Sequence, residues 1–247
     1  MTQIKLILAY EGTHYLGWQK TKEGLSIEGE LEKVLTRLLQ HPITLQAASR
    51  TDRGVHALYQ VVGFHTPTSP NLFRLKRALH GLLPKDIALT AIEIVPDTFH
   101  PTLDATYKEY HYHLSFEEVL LPHERNFLWH YPYPLDLQKM EKSFCHFIGE
   151  KDFTSLTNDK VINPIRKVRE IEIVILRPRR VFFKITGNSF LYKMVRNIVG
   201  TLVYIGLGKI DGEKIPAILQ SKDRRRMGMT APAQGLFLAK VEYPTLH

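Results

Sequence analysis

The sequence predicts an α+β fold. Up to residue 95, β-like runs and amphipathic helical patterns follow one another in the order β-α-β-β-α-β, the order of a ferredoxin-like split unit. Beyond that point strands and helices again mix, with no internal sequence repeat and no low-complexity stretch. The length, 247 residues, and a composition of 44% hydrophobic and 23% charged residues fit an ordinary globular protein. Such a chain forms one large domain or two of roughly 120 residues.

Residues 4–10 form a nearly continuous apolar run and predict a buried strand. Residues 11–19 are a turn-rich loop with aromatics, placed either to cover the edge of the core or to stack on bases. Ser26 is a helix cap, and Ile27, Leu31, Val34, Leu35, Leu38 and Leu39 then recur at helical spacing. Strands are expected over 43–47 and 58–64. Ser69-Pro70 then reads as a cap with proline at the first helical position, opening a helix with Leu72, Leu75, Ala78, Leu79 and Leu82 on one face. A strand over 87–95 completes the first half.

In the second half Tyr110, Tyr112 and Leu114 alternate with His111 and His113, which predicts a two-faced strand. No third or fourth ligand stands at metal spacing from the two histidines. Residues 117–134 lack a clear period and read as a long loop. Asp136 opens a helix with Met140, Phe144, Phe147 and Ile148 inward. Strands over 168–176 and 181–186 flank the basic tip Arg177-Pro178-Arg179-Arg180, a solvated turn or a phosphate contact. A mostly apolar helix over 189–205 leaves only Lys193, Arg196, Asn197 and Gly200 on a narrow stripe. A cation there needs an anionic partner or a wet cleft. The basic run from Lys222 to Arg226 reads as a solvated loop or an RNA contact, and a final strand ends near Tyr243.

Lys plus Arg number 33 against 25 Asp plus Glu, a formal net charge of +8. That favours a polyanionic partner. The single Cys145 excludes an intrachain disulfide and a multi-cysteine zinc site, and fits a reducing compartment. Its place in a helical pattern predicts a buried thiol. The first residues carry no leader pattern and no run of 18 apolar residues occurs, so no membrane span and a cytoplasmic location are expected.

The stretch with the most chemical content is 48–57, between two strands. Asp52 stands between Arg50 and Arg53, and Gly54 permits a tight turn. A carboxylate kept ionised by neighbouring cations is a nucleophile or an electrostatic stabiliser; the same residues also suit a plain turn.

SRTDRGVHA resembles the GRTDAGVHA signature of the TruA family of tRNA pseudouridine synthases. Arg50, Thr51, Asp52, Gly54, Val55, His56 and Ala57 match, while Ser49 and Arg53 replace Gly and Ala. Residues 10–19 are similar to the family's YDGTxFxGWQ, with Glu11 for the Asp. Residues 99–112 resemble FHARFSAxxRxYxY, matching at His100, Ala105, Tyr110 and Tyr112, with Lys108 and Glu109 in place of an Arg-rich pair. GEKDFTS is similar to GxHDFTSF. GNSFLYKMVRNIVG is similar to GNGFLxxMVRxxVG, with Ser189 for the second Gly, and residues 231–244 are similar to AxPxGLYLxxVxYP. The motifs run in order along nearly the whole chain.

The resemblance implies two ferredoxin-like halves, 1–103 and 104–247, with joined antiparallel sheets and a basic central cleft. It implies isomerisation of uridine to pseudouridine at positions 38, 39 and 40 in the anticodon stem-loop of tRNA, by a homodimer without cofactor or metal. Asp52 is then the nucleophile, paired with Arg196. Tyr110 packs on the uracil and takes part in proton removal. Arg50 fills the space left by the flipped base or contacts the backbone, and Leu236 is an apolar wall of the site. The alternative is a catalytically silent RNA-binding module on the same fold.

Overall fold

The structure, a computed structural model, describes residues 1–244. In chain order its elements are β1 (Thr2–Tyr10), α1 (Ile27–Leu39), β2 (Gln46–Ala47), β3 (His56–Thr66), α2 (Leu72–Leu82), β4 (Ile87–Val95), β5 (Tyr107–Ser115), β6 (Trp129–His130), α3 (Leu137–Lys142), β7 (Gly149–Asp152), β8 (Ile165–Arg177), β9 (Arg180–Gly187), α4 (Met194–Gly206), α5 (Ile215–Gln220) and β10 (Leu236–Glu242). Strands and helices intermix throughout, as the α+β expectation requires. Two compact units result: Met1–Thr106 with the closing strand from Phe237, and Tyr107–Leu236.

In the first unit β1 lies between antiparallel neighbours, β3 on one side and β4 on the other. Both of its faces are covered: Ile4, Leu6 and Leu8 are fully buried and Ile7 nearly so, which explains the unbroken apolar run. The far edge of β3 takes β2 antiparallel at Gln46↔Gly63 and β10 parallel at Phe237↔His56. The strand expected over 43–47 shrinks to Gln46–Ala47. Ile43 and Leu45 are buried by packing, outside any strand. Ser26 caps α1, its hydroxyl accepting from the Gly29 N–H at 3.2 Å, and Ile27, Leu31, Val34 and Leu35 face inward. For α2 the cap is Asn71, not Ser69. Its Oδ1 accepts from the Arg74 N–H at 3.0 Å, and only Leu75 and Leu79 of the helix are buried.

In the second unit β5, β9, β8 and β7 follow one another in antiparallel register. The segment 117–134 is not all loop: β6 adds to β5 in parallel at Leu114↔Trp129. Asp136 caps α3 by accepting from the Lys139 N–H at 3.0 Å. The helix ends at Lys142, and the chain tightens into a 3₁₀ turn over Phe144–His146. Fewer residues per turn shift the phase. Met140, Phe144 and Phe147 stay buried, but Cys145 is exposed, contrary to the sequence expectation. Helix α4 begins at Met194, later than expected, because Lys193 adopts the left-handed conformation at φ 59°. Eleven of its thirteen residues are buried. Among the described residues no helix is long and apolar enough to cross a membrane.

Candidate active site

The loop of Asp52 is held at several points along its length. Thr51 shares a buried hydrogen bond with the Tyr10 hydroxyl at 2.8 Å, and its carbonyl accepts from the Trp18 N–H at 3.0 Å. Gln60, fully buried, donates to the Ser49 carbonyl at 2.6 Å. The Val55 N–H closes the turn on the Asp52 carbonyl at 3.1 Å, with Gly54 at φ 76°. His56 Nδ1 accepts from the Gly12 N–H at 3.1 Å, and its ring stacks on Phe237 at 4.6 Å. Asp52 is half-buried, whereas Arg50 and Arg53 are exposed on either side.

The 11–19 loop is the other wall of this seat. A Cβ on Gly12 would lie 1.9 Å from the Val55 carbonyl oxygen, and one on Gly17, at φ 106°, would lie 2.6 Å from that of Thr51. Backbone therefore meets backbone, which only glycine permits. The aromatics of this loop cover the core instead of offering stacking faces. Tyr15 and Trp18 are almost fully buried, and the Tyr15 hydroxyl donates to Asp86 at 2.6 Å. Burial and that carboxylate push the Tyr15 phenol well above its usual range.

Tyr110, Arg196 and Leu236 belong to the second unit. Tyr110 and Leu236 are each buried. Tyr110 meets Phe190 edge-on, with ring centroids 5.2 Å apart. The Arg196 Nε donates to the Ala231 carbonyl at 2.8 Å, and the Ala231 N–H donates back to the Arg196 carbonyl at 3.1 Å. The first bond orients the guanidinium, and the second holds the two backbones together. Tyr112, on the same face of β5 as Tyr110, donates to the Pro232 carbonyl at 2.8 Å. Its burial raises the phenol pKa well above the usual range, against the opposing pull of Arg196.

A network that the sequence did not announce holds the segment receiving Arg196. Asn197 is fully buried and donates to the Leu156 carbonyl at 2.7 Å. Its Oδ1 accepts from Arg224 and from Thr230, both at 2.7 Å. Arg224 also donates to the Gly228 carbonyl at 2.7 Å. A Cβ on Gly200 would lie 1.7 Å from the Met229 carbonyl oxygen, so this segment lies directly on α4. The sequence signal was the Asn on an apolar helix. Arg224 gave none, because a basic run reads as solvated.

Two further expectations change. At the β8–β9 tip, Arg177 and Arg180 are engaged with Glu117 and Glu124, while Arg179 stays exposed, so this basic cluster is only partly neutralised. In the run 222–226, Arg224 turns inward and Arg225 pairs with Asp223 at 2.9 Å. On the outer face of β5, His111 Nε2 bonds Glu109 at 2.7 Å, and no cluster of three or more metal-binding side chains occurs among the described residues.

A family model described as tRNA pseudouridine synthase matches residues 6–104 and 144–244. The chain belongs to the TruA family of tRNA pseudouridine synthases. A relative of this family member, tRNA pseudouridine synthase A 2 of Protochlamydia amoebophila (strain UWE25), is 50% identical over 248 residues, covering 98% of the chain and 95% of the relative. tRNA pseudouridine synthase A of Thermoanaerobacter sp. (strain X514) is 39% identical over 98% of the chain and its own full length. That of Exiguobacterium sp. (strain ATCC BAA-1283 / AT1b) is 40% identical over 98% of each chain. The TruA-family motifs fall on the parts just described: the Asp52 turn, the 11–19 wall, β5, α4 and the 228–236 segment.

Proposed function

We propose that this protein isomerises uridine to pseudouridine in tRNA, at positions 38, 39 and 40 of the anticodon stem-loop, with Asp52 as nucleophile. The observation that carries the reading is the seat of Asp52: a half-buried carboxylate on a turn whose flanking residues are tied to Tyr10 through the Thr51 hydroxyl and to Trp18 and Gln60 through backbone carbonyls. Such a carboxylate is held in place before substrate arrives. The reaction breaks the bond from the sugar to nitrogen, turns the uracil and rejoins the sugar to carbon 5. Atoms balance without any co-substrate. A stacked base is out of reach, so the nucleotide is flipped out at a cost of roughly a few kcal/mol.

In this reading Arg196 pairs with Asp52 and keeps it ionised. Its Nε bond to the Ala231 carbonyl fixes one edge of the guanidinium and leaves the terminal nitrogens to make that pair. Tyr110 packs on the uracil and assists loss of the carbon 5 proton. Arg50, exposed beside Asp52, fills the vacated stack or contacts the backbone, and Leu236 is the apolar wall. The proposal includes two ferredoxin-like halves, 1–103 and 104–247, with joined sheets and a basic cleft. It also includes a cytoplasmic homodimer.

The test is tritium release from carbon 5 of labelled uridine in an unmodified tRNA transcript. Wild type is expected to release label and Asp52→Asn to bind without release. A wild type that binds several tRNAs and releases nothing leaves the silent binding module as the answer. Equal release by both proteins removes Asp52 from the centre of the chemistry.

A further inference from the structure

Strand β5 sends alternate side chains to opposite faces. Lys108, Tyr110, Tyr112 and Leu114 share the buried face, and Glu109, His111 and His113 share the other. Lys108 is only 6% exposed. Among the described residues its side chain has no hydrogen bond and no ion pair, and its Nζ is not fully enclosed, so the enclosed stem carries the ammonium to the surface. Its sequence neighbour Glu109 does not neutralise it, being bonded to His111 on the opposite face. Across the ladder stands Gly187, which has no side chain to offer. Burial lowers the ammonium pKa to about 8, with no neighbouring charge contributing.

Largely desolvating an ammonium that has no partner is unfavourable for folding. A methionine has similar reach and would fill the same volume without that penalty. The lysine is therefore hard to explain by packing. Its location suggests another reason. It lies two residues from Tyr110, on the face where Tyr112 sits beside Arg196. We propose that Lys108 is a substrate-binding residue whose ammonium takes a backbone phosphate of the RNA next to the target nucleotide. The inference rests on the tRNA reading above. A phosphodiester is the full negative charge that such a substrate brings, and a lysine is a compact point charge suited to it.

The experiment compares wild type with Lys108→Met and Lys108→Arg, using an unmodified tRNA transcript over a range of salt. Lys108→Met is expected to melt no lower than wild type, yet to bind about 10–100-fold more weakly at low salt. Its plot of log affinity against log salt should be shallower by about one. Lys108→Arg should keep the wild-type slope. Lys108→Gln is the second uncharged variant, and decides the matter if the methionine protein does not fold. An uncharged variant with unchanged affinity and slope overturns the proposal. So does one that loses turnover at unchanged affinity and slope, which would place Lys108 in another role. A wild type that binds tRNA without releasing tritium sinks the synthase reading alone, and the slope comparison still decides on Lys108.

Discussion

Lys108 also has a thermodynamic signature of its own. With its folded pKa lowered to about 8, the unfolded chain binds more protons than the native one between that value and the ordinary lysine range. Stability should rise with pH across that window and be flat in this respect below it. The span is on the order of 3 kcal/mol. Urea unfolding at pH 7 and pH 10 checks this: wild type should gain relative to Lys108→Met, whose own stability lacks the term. Beside it, Arg196→Lys should lower turnover roughly 10–100-fold with tRNA affinity largely kept, because lysine has no planar fork to anchor on Ala231. Single-turnover tritium release separates the two effects. At this scale Asp52 was legible, since its neighbours and Gly54 define a turn in the residues alone. Arg224 was not, because a run of basic residues carries no sign of which member turns inward. The burial of Lys108 could have been read by counting back two from Tyr110.

Helices and loops were legible to the degree that their signals are local. Ser26 and the spacing of Ile27, Leu31, Val34 and Leu35 placed α1, and the same periodicity placed the core of α2. The start of α4 and the break after α3 were not legible. Phe190 and Leu191 keep an apolar pattern without being helical, and the 3₁₀ turn that exposes Cys145 depends on how the chain packs. The 11–19 loop offers a direct test of backbone-on-backbone packing. Gly12→Ala forces a Cβ against the Val55 carbonyl and should destabilise by about 1–3 kcal/mol or more, with loss of tritium release. Gly81→Ala, in α2 with nothing within 4 Å of the new methyl, should instead stabilise by about 0.5–1 kcal/mol. Urea midpoints of the two proteins should move in opposite directions.

Over the whole molecule, the net charge of +8 predicts tRNA binding that falls steeply with salt. The charge is not uniformly available, however. Arg177 and Arg180 are already spent on Glu117 and Glu124, so Arg177→Gln should leave the salt slope of binding unchanged. The sequence shows the sum of charges but not these pairings, which require β5, the 117–124 segment and the β8–β9 tip to meet. Finally, His56 follows directly on the Asp52 turn, yet the ring stacked on it is Phe237, and the strand parallel to β3 there is β10. Both are made about 180 residues after the turn they complete. A nascent chain stalled before Phe237 can assemble most of its first sheet but leaves the Asp52 turn without its stacked ring and without the parallel strand beside it, so the setting of this turn is completed well after the turn itself has been made.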